Sequence, residues 1–413
     1  MARNTPERLH WRARWLQWQH SLSRHAGPAK GVNALKITDI RTYRCHDGAR
    51  NSLFLQVRTD EGLTGVGEPY TIGPDEGIVG LVESAVPWFV GQDPSRIEWL
   101  LRRARNTMRF PLGQVGWSAL SGIEHALWDI AGKAANLPVY MLLGGRFRER
   151  VRVYHAIYDP TPEKLAETAQ ALVAQGYTAF KTTPYPPEWR LKPWNEVLRE
   201  SARRMEALRK AVGPDADIGL DFHATLREPA RARQLAEAVA PYRPMFVEEP
   251  VRPEHIASTA QLRAQLGVPL ATGENLYGLS QFADLLDAEA ADIIQPDLCS
   301  AGGLLEGKKI AALAEAHYVT VAPHNPLGLL STAVSVHLAA CTPNFLILEY
   351  HGDHAKPKAQ FVDDPWKPVD GYFALPTRPG LGMELDLDAI ARHPPKPWDR
   401  GFPTYSDGAP AFI

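Results

Sequence analysis

Cysteine is scarce in this chain. Its 413 residues hold three, Cys45, Cys299 and Cys341, widely separated and none in a CxxC pair. That excludes a disulfide framework and argues against a zinc ribbon or a thioredoxin-like centre. Unclustered thiols fit a reducing compartment, so a cytoplasmic location is expected. Long apolar runs are missing as well. The most apolar stretch, residues 78–90, carries Glu83 and Pro87, well short of the roughly 18 apolar residues that a membrane-spanning helix needs. Net charge is only −2, so neither nucleic acid nor a membrane surface is an expected partner. No Asn-x-Ser/Thr acceptor occurs. The glycine-rich dinucleotide fingerprint is incomplete, because Gly65-Val66-Gly67 is not followed by the rest of GxGxxG. This counts against a doubly wound nucleotide-binding sheet.

What is present reads as an ordinary globular chain. Hydrophobic residues make up 45% and charged residues 22%, enough to bury a large core without covalent staples. The length allows two or three domains, or one barrel with attachments. Residues 1–35 form a basic N-terminal extension of different texture. Its first 31 residues carry five Arg and one Lys against Glu7 alone, with Trp11, Trp15 and Trp18 at near-helical spacing. It has no apolar core of a secretory signal. A disordered tail or a partner-contacting helix is the expectation there.

Residues 36–148 read as an α+β unit. Two β-rich runs and a third after the Asp60-Glu61-Gly62 turn form an antiparallel meander. Helical periodicity follows over 76–89, 97–106 and 116–136, with Ala119, Ile123, Ala126, Leu127 and Ile130 on one face. From residue 149 the texture changes. Short apolar runs at 151–158, 179–181, 218–223, 245–248, 270–274, 293–297, 320–324 and 346–349 alternate with Ala/Leu/Arg-rich helical patterns. The spacing is about 25 residues, one strand plus one helix, broken by a longer gap that holds Pro184-Tyr185-Pro186-Pro187 and Trp189. Eight such units predict a TIM-like (β/α)₈ barrel over 149–370. Residues 371–413 are expected to return to the N-terminal cap.

Buried parallel strands should be continuously apolar, yet these predicted strands end on Lys181, Asp221, Glu248, Glu274, Asp297, His324 and Glu349, with His223 two residues past Asp221. In a barrel such ends converge on the C-terminal rim, where active sites lie. Three carboxylates on adjacent strands, Asp221, Glu248 and Glu274, form a hard-cation set that favours Mg²⁺, or Mn²⁺, over zinc. Glu249 follows Glu248 directly, and alternation lets only one of the two face the barrel centre; Glu248 is the candidate.

These residues sit in the runs GLDFH (219–223), FVEEP (246–250), ATGE (271–274), IIQPD (293–297) with AGG after it (301–303), and VAPHNPLG (321–328). In order and spacing the set resembles the mandelate racemase branch of the enolase superfamily, most of all its acid-sugar dehydratases of the galactonate dehydratase type. The resemblance implies an α+β cap over a (β/α)₇β barrel, a Mg²⁺-dependent hydro-lyase and, in most members, a homo-oligomer. It implies removal of water from an aldonic acid, D-galactonate first and gluconate, mannonate or pentonate as alternatives, giving a 2-keto-3-deoxy acid.

On this pattern His324 is the general base and Asp297 the partner that fixes its tautomer. His223 is the acid for the leaving hydroxyl. Lys181 and Glu349, protonated or suitably paired so that it can donate, would stabilise the developing negative charge, which implies a raised pKa at Glu349. Lys181-Thr182-Thr183 lacks the second lysine of the family's racemases, which disfavours racemisation. A racemase or epimerase, and a non-catalytic relative, remain the rival readings. Arg109 and Tyr70, on the loops of the cap, are candidates for substrate binding.

Overall fold

The computed structural model describes residues 35–71, 73, 75–397, 401 and 403–412. The basic extension inferred for residues 1–35 lies almost wholly outside the described residues.

An antiparallel meander opens the fold: β1 (Ile37–His46), β2 (Asn51–Thr59) and β3 (Thr64–Gly67). Helices α1 (Asp75–Phe89), α2 (Ile97–Thr107) and α3 (Gly113–Ala135) follow, and the short α4 (Val139–Leu142) ends this unit. The apolar face of α3 packs under the meander with Leu53, Leu55 and Val57. Gly65 and Gly67 make that close approach possible. A β-carbon at Gly65 would lie 2.0 Å from the carbonyl oxygen of Ala126, and one at Gly67 1.9 Å from that of Gly122. The paired glycines therefore serve helix–strand packing, and Asp129 Oδ2 accepts from Val66 N at 3.0 Å between them.

The second unit alternates strand and helix: β4 (Arg150–Ala156), α5 (Pro162–Val173), β5 (Ala179–Thr182), α6 (Trp194–Val212), β6 (Asp217–Asp221), α7 (Pro229–Val239), β7 (Phe246–Glu248), α8 (Ile256–Arg263), β8 (Leu270–Thr272), α9 (Gly278–Asp287), β9 (Ile293–Ile294), α10 (Gly303–Ala316), β10 (Thr320–Val321), α11 (Leu329–Cys341) and β11 (Leu348–Tyr350). Parallel pairing runs β10-β9-β8-β7-β6-β5-β4-β11. The ring closes where Val321 N donates to Asn344 O at 2.9 Å and Leu346 N to Val321 O at 2.8 Å, giving the (β/α)₇β barrel. Tyr154, Ala179, Phe246, Ala271, Ile293, Ala322 and Ile347 fill the interior. Gly219 leaves room there for the Phe246 ring, 2.7 Å from where its β-carbon would stand.

Several predicted strands are shorter than the apolar runs. β8, β9 and β10 end two or three residues before Glu274, Asp297 and His324, so those side chains sit on the turns leaving the strands. Past β11 the chain adds β12 (Tyr372–Ala374), antiparallel to the start of β4. It then crosses to the cap. Leu381 N reaches Asp129 Oδ1 at 2.8 Å, α12 (Leu387–Ala391) packs against β1, and His393 O accepts from His46 N at 2.9 Å. The stretch after residue 371 thus begins as part of the barrel before it joins the cap.

A buried polar seam holds cap to barrel. Glu124 on α3 accepts from Leu304 N and Leu305 N, both at 2.8 Å, in the first turn of α10, and from Trp128 Nε1 at 2.7 Å. A carboxylate over free N–H groups at a helix start is favoured by hydrogen bonding and by the helix dipole. Ser121 Oγ accepts from Gly302 N at 3.0 Å, and His125 Nε2 meets Leu298 O at 3.0 Å. All three cysteines are free and buried. Among the described residues no helix is long and apolar enough to cross a membrane.

Candidate active site

At the C-terminal rim, between barrel and cap, lies a cavity of about 690 Å³. Lys181, Asp221, His223, Glu274, His324 and Glu349 line it from the barrel, Tyr70 and Gln114 from the cap. Glu248 stands behind this wall, fully buried and bonded to Lys181. Seven of the eight ionisable positions read from the strand ends therefore meet here around Lys181 and His324, and Asp297 joins them through His324.

Lys181 is the hub. Its Nζ lies 2.6 Å from Glu349 Oε1, 2.8 Å from Glu248 Oε1 and 3.4 Å from Asp221 Oδ2, and all four side chains are at most 2% exposed. Burial alone would lower its pKa, but Glu248, Glu349, Tyr154 and Asp221 outweigh that and hold the ammonium well above its ordinary value. The same contacts decide Glu349. Burial pushes it up, while Lys181, His324 and His351 pull it well below the usual carboxylate range. Its Oε2 accepts from Asn325 N at 2.9 Å and its Oε1 faces His351 Nε2 at 3.0 Å. The sequence reading expected a raised pKa at Glu349; here its contacts act in the opposite direction, and it accepts from Asn325 N beside Lys181.

His324 Nδ1 lies 2.9 Å from Asp297 Oδ2, and Asp297 Oδ1 is taken by Cys299 N at 2.7 Å. The other ring nitrogen, Nε2, sits 3.4 Å from Glu274 Oε2 and 3.9 Å from Glu349 Oε2. Burial works against charging this ring, but Glu274, Glu349 and Asp297 raise its pKa to about 10. With Asp297 on Nδ1, Nε2 is the atom free to exchange a proton with a molecule in the cavity.

His223 reaches the site by a different route from the one its spacing implied. β6 ends at Asp221, and His223 has a left-handed backbone (φ 52°) rather than a strand conformation. Asp221 Oδ1 accepts from His223 N at 2.7 Å, so a tight turn delivers the ring, whose Nε2 lies 3.2 Å from Asp221 Oδ2. The ring is half exposed to the cavity.

The acidic set was tested for a cation by its own chemistry. Among the described residues no three His, Cys, Asp or Glu groups already converge as a ligand cage; the Lys181 ammonium sits among them. Even so, Glu248 Oε2 and Glu274 Oε2 are buried without a hydrogen-bond partner. Burial and then Asp221 push Glu248 up to about 7; burial, with Asp221, Glu249 and Glu248, pushes Glu274 well above the ordinary range. Crowded, under-satisfied, all-oxygen donors fit a hard divalent ion. Glu249 turns away, its Oε1 held by Thr272 Oγ1 at 2.8 Å and Gly273 N at 2.9 Å.

Tyr70 lines the cavity, its ring centroid 6.2 Å from that of His324. Arg109 does not. It is exposed, with its guanidinium 5.9 Å from the Phe110 ring centroid, and Gln114 of the same segment reaches the cavity instead. Tyr185 and Trp189 stack with centroids 4.5 Å apart and line a neighbouring cavity of about 540 Å³, which shares Tyr158 and His223 with the first. Sequence reasoning missed Tyr158, the β1–β2 hairpin residues Asp47 and Arg50, and Lys356 and Lys358 beyond β11. These are loop residues that no strand-end pattern marks; only the hairpin's Asp47-Gly48 turn signal hinted at an exposed tip.

Comparison with known proteins agrees with this geometry. Residues 42–144 match the mandelate racemase / muconate lactonizing enzyme N-terminal domain, and residues 164–389 match the enolase C-terminal domain-like family. D-galactonate dehydratase of Xanthomonas oryzae pv. oryzae (strain PXO99A) is 36% identical over 383 residues, 91% of this chain and 99% of that one. The enzyme of the same name from Variovorax paradoxus (strain S110) is 36% identical over 390 residues, 91% and 100% of the two chains. A crystal structure from Agrobacterium radiobacter, of an enolase named as a candidate galactarate dehydratase with sodium and L-malate bound, superposes with a TM-score of 0.87 at 42% identity, covering 92% of this chain and all of that one. The chain belongs to the mandelate racemase / muconate lactonizing enzyme family of the enolase superfamily and is a hydro-lyase of its dehydratase branch.

Proposed function

We propose that the chain dehydrates an acid sugar to a 2-keto-3-deoxy acid, with D-galactonate first among the aldonic candidates. The observation that carries this reading is the meeting of the Asp297–His324 pair, 2.9 Å apart, with His223 and Lys181 on one cavity. Lys181 receives the substrate carboxylate and Glu349 holds the lysine in place. His324 Nε2 takes the proton from C2, with Asp297 keeping the other nitrogen protonated and the ring oriented. His223 delivers a proton to the C3 hydroxyl. The C2–H and C3–O bonds break, the C2=C3 double bond forms, water leaves, and the enol becomes the keto acid. Asp221, Glu248 and Glu274 would hold Mg²⁺, or Mn²⁺. Bound there, a divalent cation would offset the carboxylates that keep His324 protonated and would draw negative charge from the substrate carboxylate.

Thr183 occupies the place of the second lysine of racemases, lines the neighbouring cavity, and has no proton chemistry to offer a second face of C2. This supports elimination over racemisation. The test is to incubate the protein with Mg²⁺ and a panel of aldonic and aldaric acids and to trap 2-keto acids with semicarbazide. A keto acid from at least one of them is expected, and His324→Asn should abolish it. Absence of keto acid across the panel, or normal turnover by the variant, overturns the reading.

A further inference from the structure

One wall of the cavity carries charge that the dehydration steps do not use. Beyond β11 the chain runs through His351 and a 3₁₀ turn, Asp353–Ala355, into Lys356, Pro357 and Lys358, and this wall faces Asp47 and Arg50 of the β1–β2 hairpin. Most of these charges are spoken for. Lys358 Nζ lies 2.8 Å from Asp353 Oδ1 and donates to Leu327 O, and Arg50 donates to Pro326 O. Asp47 Oδ1 accepts from Ala49 N at 2.9 Å and Arg50 N at 2.7 Å. Glu68, behind the wall, accepts from Ser331 N at 2.8 Å and offsets part of Lys358 and Arg50.

Lys356 is different. Its nearest carboxylate oxygen is Asp353 Oδ1 at 3.7 Å, the atom Lys358 already holds, and its side chain is 47% exposed. Burial lowers its pKa; Asp353 opposes this, while Lys358 and Arg50 add like charge. Arg252, the other cation on the cavity, is occupied: its Nε lies 2.8 Å from Glu254 Oε1, and its guanidinium carbon is 4.6 Å from the centroid of the Phe412 ring. Among the cations lining the cavity, Lys181 is held by three carboxylates, whereas Lys356, with Arg50 nearby, is under-compensated on the wall beyond β11. Both line the same cavity, whose volume of about 690 Å³ has room for a six-carbon acid.

We propose that Lys356, supported by Arg50, binds a second carboxylate at the distal end of the substrate, so that the preferred substrates are aldaric acids, which carry carboxylates at both ends. An aldonic acid would set a neutral hydroxyl before Lys356 and leave that cation without an anion. The proposal rests on the dehydratase reading. Charge-assisted hydrogen bonds to carboxylate are strong and geometrically selective, so the wild type should process galactarate or D-glucarate at a kcat/KM at least about tenfold above D-galactonate. Lys356→Met should lower that diacid-to-monoacid ratio by about tenfold or more, mainly through KM for the diacid, and Lys356→Arg should restore part of it. The side chain is half exposed, so neither variant threatens the fold. Turnover of aldonates without aldarates, or an unchanged ratio in Lys356→Met, overturns this proposal while leaving the dehydratase reading intact. No keto acid from either class overturns both.

Discussion

Mild acid should loosen the molecule at a histidine far from the active site. His337 on α11 is fully buried; its Nδ1 accepts from Tyr140 N at 3.1 Å and its Nε2 meets Leu381 O at 3.2 Å. Only the neutral ring protonated on Nε2 satisfies both, and a proton on Nδ1 would set a donor against the Tyr140 N–H. Burial lowers its pKa from 6.5 to about 4. Between those values the unfolded chain binds a proton that the folded chain refuses, so stability falls as pH drops from 6.5 toward 4. With those two pKa values the loss at pH 4.5 amounts to roughly 2–3 kcal/mol for this one ring. Buried carboxyls such as Glu124, raised to about 7, carry the opposite sign over part of that window, so the ring is isolated by difference. Unfolding free energies from urea titration at pH 7.5 and pH 4.5 should show wild type losing roughly 2–3 kcal/mol more than His337→Asn over that interval. Equal pH dependence in the two proteins would refute the assignment. Because His337 joins α4 of the cap, α11 of the barrel and the returning C-terminal segment, acid should release the cap side first, read as proteolytic nicking near residues 138–145.

Two further outcomes follow from close contacts and from the acidic site. Gly303→Ala should fold poorly, with a loss of several kcal/mol, since its φ is 88° and the added β-carbon would meet Glu124 Oε2 at 2.1 Å; a thermal melt like that of wild type would refute the seam's rigidity. Chelation followed by gel filtration should abolish keto-acid formation, and Mg²⁺ should both restore it and raise the melting temperature without substrate, as a ligand that binds only the folded state must. An unchanged melting temperature would count against the carboxylate set as a cation site.

The sequence carried the barrel because each strand–helix unit repeats at one spacing, and it carried the site because ionisable residues at strand ends violate the apolar rule for buried parallel strands. What it hid was set by three-dimensional neighbours. Against the upward push of burial, the lowered pKa of Glu349 comes from Lys181 and His324, in other strand–helix units, and from His351 two residues on. His223 was placed by strand alternation, yet a left-handed turn pinned by Asp221 does the placing. Arg109 looked like a pocket residue because it is a cation on a cap loop, and nothing local reveals that the loop turns it to solvent. Helix α3 hides its polar contacts as well: its apolar face is obvious, while a stripe of Ser121, Glu124, His125 and Asp129, which no periodicity marks, is buried too.

That buried stripe explains why loops of the cap can take part in selection at a barrel rim. An exposed cap resting on apolar contacts alone could slide, since such contacts have no fixed direction. Hydrogen bonds have direction, and leaving any one unmade in a buried seam costs about 1–3 kcal/mol. Glu124 on the start of α10, Ser121 on Gly302 N and His125 on Leu298 O therefore specify one register of cap on barrel. Asp297 is in the same turn as Leu298, so the segment that orients His324 is the segment the cap grips. The orientation of His324 and the position of the cap are thereby tied to one piece of backbone.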